Sequence, residues 1–218
     1  MKRLVFLCVC MLSLFVLAGC AADKSSDINE KEYTAQAGKA APQNGKVLIA
    51  YFSMIDDVPK DADAVTHATS SIGNTKTAAE EIQRQTGGDL FAIKTANVYP
   101  SDHKEASAIA KEEIDSDARP ELISHVDNMA EYDTVYIGFP IWWYVEPMAV
   151  RSFLEEYDFS GKKVIPFCTS MGADIKSSEE DITSLVKGAK VLPGITLHAG
   201  QKDQSEAISE WLSDIGMK

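Results

Sequence analysis

Residues 46–218 predict an α/β domain, a three-layer sandwich built on a five-stranded parallel sheet. Two observations carry this expectation. Val47 to Phe52, Thr134 to Phe139 and Val164 to Cys168 are continuous apolar runs of strand length, as expected of strands buried on both faces. Segments with the apolar spacing of helices fall between them, and strands alternating with helices imply parallel pairing through right-handed crossovers. The length suits one domain, and no second boundary is visible.

Val47 to Phe52 reads as the first strand. Thr75 to Gln85 follows as a helix with Ala78, Ala79 and Ile82 on one side; Gly87-Gly88 stops it, and a second strand lies near Leu90 to Lys94. A polar helical stretch, roughly Ser101 to Asp115, precedes the third strand, Thr134 to Phe139, whose Val, Tyr, Ile and Phe suit a packed sheet. Pro147 suits the first turn of the next helix, where Val150, Phe153, Leu154 and Tyr157 recur at i, i+3, i+4 and i+7. Gly161 turns the chain into the fourth strand, Val164 to Cys168. Glu179 to Val186 is helical, a fifth strand lies near Ile195 to Ala199, and Ser205 to Ile215 closes the chain as an amphipathic helix containing Trp211.

Ahead of this domain, Lys2 and Arg3 form a basic start, Leu4 to Val16 is apolar, and Leu17-Ala18-Gly19-Cys20 follows. This is the layout of an export signal, and the apolar stretch falls short of the roughly 20 residues a bilayer core needs. Leu-Ala-Gly-Cys resembles the bacterial lipobox. That resemblance implies removal of residues 1–19, a diacylglyceryl thioether on the sulfur of Cys20, and a membrane anchor on the extracytoplasmic side of a bacterial cell envelope. Residues 20–45, rich in Ala, Lys, Asp, Gln and Ser, read as a flexible tether that reaches on the order of 25 to 30 Å.

The formal net charge is −12, and it becomes about −14 once Lys2 and Arg3 leave with the signal. Such a balance argues against nucleic acid and favours basic partners. Of the 4 cysteines, Cys8 and Cys10 depart with the signal and Cys20 takes the lipid, so the mature chain keeps Cys168 and forms no internal disulfide. At the end of an apolar strand, Cys168 reads as a small buried hydrophobe.

Three loops carry the chemistry. Gly73-Asn74-Thr75-Lys76 sits where a loop becomes a helix, and there backbone N–H groups and the helix dipole attract a phosphate. Asn74 or Thr75 is expected to cap the helix, Gly73 to permit close approach, and the hydroxyls of Thr75 and Ser53 to add hydrogen bonds. An ordinary capped helix fits the same four residues. No Walker-type GxxxxGK loop or GxGxxG motif is present to support ATP or NAD binding. Pro140-Ile141-Trp142-Trp143-Tyr144 follows the third strand, and three adjacent large aromatics cannot all enter one core. Either an exposed ring stacks on a flat ligand, or a core tryptophan sits beside a surface one. Thr169-Ser170-Met171-Gly172 ends the fourth strand with hydroxyls and backbone N–H groups.

Asp56, Asp57, Asp61, Asp63 and His67 lack the EF-hand spacing and read as solvated loop residues, so no metal is expected. No GxSxG elbow supports a Ser53, His67, Asp63 hydrolase. His103, His125 and His198 are scattered along the chain.

Taken together, Tyr51-Phe52-Ser53, Gly73-Asn74-Thr75-Lys76, Gly138-Phe139-Pro140-Ile141-Trp142-Trp143, Phe153-Leu154, Phe159-Ser160-Gly161-Lys162 and Pro166-Phe167-Cys168-Thr169 resemble the flavodoxin family, closest to its lipoprotein-containing branch of short FMN proteins. The resemblance covers nearly all of residues 46–200. It implies a flavodoxin-like sheet of order 2-1-3-4-5 with FMN across the ends of strands one, three and four. On it, Ser53, Gly73, Asn74, Thr75 and Lys76 take the phosphate side, Pro140, Ile141, Trp142 and Trp143 flank the ring, and Thr169, Ser170 and Gly172 approach its polar edge. None is assigned as an acid, base or nucleophile. In the simple family pattern Gly-Asn-Thr follows the serine within a few residues, but here Met54 to Ile72 intervenes. The third loop also carries Ala173-Asp174-Ile175-Lys176 where the family has more glycine.

The expectation is an FMN-binding lipoprotein that transfers electrons outside the cytoplasm, to a redox partner protein or a small acceptor. An FMN-dependent NAD(P)H:quinone-type oxidoreductase uses the same fold, and a non-redox lipoprotein could hold another phosphorylated ligand in the same crevice.

Overall fold

The structure, a computed structural model, describes residues 45–54, 74–201 and 204–218. Strand β1 (Lys46–Phe52) pairs on one side with β2 (Asp89–Ile93) and on the other with β3 (Tyr132–Pro140), and β4 (Lys163–Ser170) follows β3, all in parallel. Two short pieces, β5 (Lys190–Val191) and β6 (Ile195–His198), pair with the beginning and the end of β4. The sheet therefore has the order 2-1-3-4-5, with its fifth position shared by β5 and β6.

Alternate residues feed two cores, which makes the domain three layers thick. Leu48, Ala50 and Phe52 of β1 and Val135, Ile137 and Phe139 of β3 pack on one face with Val150, Phe153 and Leu154 of α3 (Met148–Glu156) and Ile182 of α4 (Lys176–Leu185). Helix α2 (His103–Asp115) packs against α3 on that side. Ile49, Tyr51 and Tyr136 face the other way, onto Ala78, Ala79 and Ile82 of α1 (Asn74–Thr86) and Ile208, Trp211 and Leu212 of α5 (Gln204–Asp214). A residue step of two along each strand keeps the two cores separate.

The expected single strand near Ile195 to Ala199 needs a correction. Pro193 has no N–H to donate, and a Cβ on Gly194 would fall 2.6 Å from the Pro166 carbonyl oxygen, so the chain leaves the ladder after Leu192 and rejoins it at Ile195. The break also shortens the exposed edge available to another chain. At the opposite edge, a short antiparallel contact not expected from the sequence joins Thr95 to Leu122. There Ala96 N–H donates to Glu121 O at 2.8 Å and Ile123 N–H to Lys94 O at 2.9 Å.

Gly138 is fixed by its neighbour. The ring of Phe167 on β4 lies where a Cβ would stand, with Cζ only 2.1 Å from that position. This close packing brings β3 and β4 together just before the two loops of the candidate site.

Candidate functional site

The loops after β1, β3 and β4 leave from the same end of the sheet, the carboxyl end, where open α/β sheets bind their ligands. Ser53, just beyond β1, is buried. Helix α1 begins at Asn74, so Asn74 and Thr75 lie inside its first turn rather than ahead of it as caps. Thr75 instead turns inward: its Oγ1 is 2.8 Å from Oγ1 of Thr169 at the end of β4, and both residues are buried. A pair of hydroxyls thus sits beside a helix start, whose first N–H groups have no acceptors within the helix. Lys76 is half-buried on the same turn. Gly73 and residues 55–72 lie outside the described residues, as do Cys20 and the tether.

The second loop resolves the three aromatics. Trp142 turns into the core, edge-on to Phe52 at 5.4 Å and to Tyr99 at 5.0 Å between ring centroids. Trp142 N–H donates to Val145 O at 2.9 Å and Val145 N–H returns to Trp142 O at 3.1 Å, leaving Trp143 and Tyr144 as the two residues of a tight hairpin. Their φ values are +49° and +71°. This is the pattern of a type I′ turn, usually built from Asn and Gly, and bulky residues adopt it at a cost of order 1–3 kcal/mol each. Trp143 is held there by its indole N–H, which donates to Ser107 O at 2.9 Å, and by Lys111 Nζ lying 6.0 Å over its ring. Strain maintained this way presents Trp143, 48% exposed, and Tyr144, 72% exposed, at the mouth of a cavity.

That cavity has a volume of about 370 Å³. Ile141, Trp142, Trp143 and Tyr144 form one wall, and Ser170, Met171, Gly172 and Ala173 of the third loop form another. Pro140 ends β3 opposite Thr169, and Ile141 N–H donates to Thr169 O at 2.9 Å, which ties the two loops together at their base. Ser170 Oγ accepts from Gly172 N–H at 3.1 Å and shapes the third loop. Of the three residues expected at a polar ring edge, Ser170 and Gly172 line the cavity, while the Thr169 hydroxyl is turned to Thr75 at the start of α1.

The remaining wall was not anticipated. His103, Ala106, Ser107 and Ala110 of α2 line the cavity at i, i+3, i+4 and i+7, so one stripe of the helix faces it, and Met54 completes the floor. The small side chains of Ala106, Ser107 and Ala110 leave the room that a large residue would fill. Their spacing is legible in the sequence, but a polar helix with alanines on one face is equally an ordinary surface helix.

In a chain of net charge −12, none of the described residues lining the cavity is acidic. An anionic or electron-rich ligand therefore meets no direct repulsion from these described walls. Cys168 lies beneath the loops, fully buried, and burial pushes its thiol up to about 12. It is a packing residue of β4.

The sequence profile of the flavodoxins matches residues 46–215, most of the chain and all of the sheet. The chain belongs to the flavodoxin family. Two solved structures from Bacteroides carry the likeness at useful identity. A Bacteroides eggerthii protein provisionally described as a flavoprotein is 31% identical over 80% of this chain and 100% of its own, with a TM-score of 0.63. Its counterpart from Bacteroides uniformis is 32% identical over 78% of this chain and 98% of its own, with a TM-score of 0.61. A flavoprotein of Lactobacillus acidophilus, solved in complex with FMN, shares the fold at 24% identity over 77% of this chain and 98% of its own, with a TM-score of 0.55. No functionally curated protein matches this flavodoxin.

Proposed function

We propose that this chain is an FMN-binding redox lipoprotein, anchored through Cys20, that passes electrons outside the cytoplasm between a redox partner protein and its acceptor. FMN is its cofactor. The observation that carries this reading is the pairing of two unlike subsites at one end of the sheet. On one side, a helix start stands beside the Thr75 and Thr169 hydroxyls; on the other, a cavity with no acidic residue among its described lining is walled by indoles and by the small side chains of α2. A phosphorylated ligand with a flat ring system fits both, and the related protein from Lactobacillus acidophilus was solved with FMN.

When bound, FMN supplies the redox chemistry, accepting and releasing electrons at its ring. The chain's own contribution is binding and tuning. Ser53, Gly73, Asn74, Thr75 and Lys76 hold the phosphate with N–H groups and hydroxyls. Ile141, Trp142 and Trp143 bound the ring, and Ser170 and Gly172 offer polar contacts at its edge. The negative charge of the whole molecule opposes the charge that reduction adds, which lowers the potential and favours basic partners.

The test is to purify the full chain from membranes and identify what comes with it. Near-equimolar FMN is expected, and Cys20→Ser is expected to move the yellow protein to the soluble fraction. A folded protein that stays colourless after incubation with FMN overturns the cofactor reading. A C20S variant that stays in the membrane overturns the anchor alone.

A further inference from the structure

Glu146 follows the aromatic hairpin directly and is the one fully buried carboxylate among the described residues. Such a group needs an explanation, because a buried ionised carboxylate is costly without partners. The partners here are incomplete. From α3, Arg151 Nε lies 2.8 Å from Glu146 Oε1, but the two are misaligned, and neither Glu146 oxygen completes a hydrogen bond among the described residues. From α4, the buried hydroxyl of Ser178 faces the same carboxylate without reaching hydrogen-bond geometry. Arg151 is shared, since its Nη2 also donates to Asp181 of α4.

This cluster stands at the beginnings of α3 and α4, the same end of the sheet as the cavity. It is joined to the cavity wall through a single residue, Val145, whose backbone closes the Trp142 hairpin.

We infer that Glu146 is a positioning residue of the site: its carboxylate, ionised against Arg151, holds the strained Trp142 to Val145 hairpin in the setting seen here, and protonation releases it. In the second setting Arg151 is left to Asp181, and the hairpin loses its tie to α3. Burial raises the pKa of Glu146, opposed by its own backbone N–H, Arg151 and Ser178 and reinforced by the nearby Asp181, so the change of setting falls above the ordinary carboxylate range. Asp117 and Glu155, both paired with Arg119, act on this network only through their fields on Arg151. The inference rests on the FMN reading for its functional consequence, but the hairpin itself can be followed without any ligand.

The experiment is ¹⁹F NMR of the apoprotein labelled with 5-fluorotryptophan, with Trp142 and Trp143 assigned by single substitutions and read across pH. Both resonances are expected to share one titration step in the wild type, and that step is expected to be absent in Glu146→Gln, while any step due to His103 of the cavity wall stays in both. FMN affinity should fall about fivefold as pH drops through the same midpoint, and that step should be missing from the profile of E146Q, which keeps only the steps of the phosphate and of other groups. Indoles that titrate identically in both proteins overturn the inference. Should E146Q fail to fold, Asp181→Asn provides the second reading: with Arg151 left wholly to Glu146, the midpoint should move to lower pH, and an unmoved midpoint overturns the proposal. If FMN does not bind but the indole titration behaves as described, the positioning role stands and the FMN reading falls. If FMN binds with the same pH profile in both proteins and the indoles do not move, the positioning role falls alone.

Discussion

Thr75 is the residue on which the phosphate side is easiest to test. Its hydroxyl is buried, paired with Thr169, and set in the first turn of α1, where a hydrogen bond to an ionised oxygen is worth about 1.5–3 kcal/mol. Thr75→Val keeps the shape and removes the donor. FMN affinity should fall by roughly tenfold or more, measured by quenching of flavin fluorescence, while far-ultraviolet dichroism stays that of the wild type. Unchanged affinity would mean that the phosphate lies elsewhere. That the Thr75 hydroxyl stands at the start of a helix is legible in the sequence; that it pairs with Thr169, 94 residues away, is not. Residue-scale reading is also incomplete where direction decides: nothing in the string Trp142-Trp143-Tyr144 says which ring turns inward, because that depends on Phe52 and Tyr99 already occupying the core beside it.

Between elements, two contacts deserve separate tests. The β3–β4 junction relies on Gly138 leaving space for the Phe167 ring. Gly138→Ala should destabilise the protein by about 1–3 kcal/mol in urea unfolding, and Phe167→Leu in the same chain should recover part of the loss. A neutral Gly138→Ala would show that the strands can separate without cost.

The α1–α5 contact depends on Glu81, which accepts from Arg84, Gln85 and the Ser205 hydroxyl. Arg84 first, then Gln85 and Ser205, hold the Glu81 carboxyl down at about 2, against 4.5 ordinarily. A lowered carboxylate pKa means that this contribution is complete above the unfolded value and is lost as pH falls from about 4.5 toward 2. The stability difference between wild type and Glu81→Gln should therefore be larger at pH 7 than at pH 3. Because Arg84 is largely exposed, the effect is modest. A difference that does not change with pH would place the stabilisation in packing.

The extents of the main helices and of β1 to β4 follow from apolar period and stop residues, and the structure moves those ends by only a few positions. The edge strand is the exception. Its division into β5 and β6 depends on Gly194, after Pro193, meeting the Pro166 carbonyl, a contact 28 residues apart in the chain that no local pattern reveals.

For the molecule as a whole, the sheet order gathers at one end what the chain spreads over more than 100 residues, from Ser53 to Gly172. That gathering is why three weak loop signals, each with an ordinary structural explanation, point to one candidate site when taken together. The wall supplied by α2 was not legible for the converse reason: its contribution is an absence of bulk at Ala106, Ser107 and Ala110, and absence has no motif. The charge distribution also appears only at this scale, since an acidic chain has no carboxylate among the described residues of the cavity lining. The most direct test of the central claim is calorimetric titration of the folded, cofactor-stripped protein with FMN and, separately, with riboflavin. FMN should bind one to one at micromolar concentration or tighter, and riboflavin, which lacks the phosphate, should bind much more weakly. Equal affinity for the two, or no heat from either with the fold intact, would contradict the account.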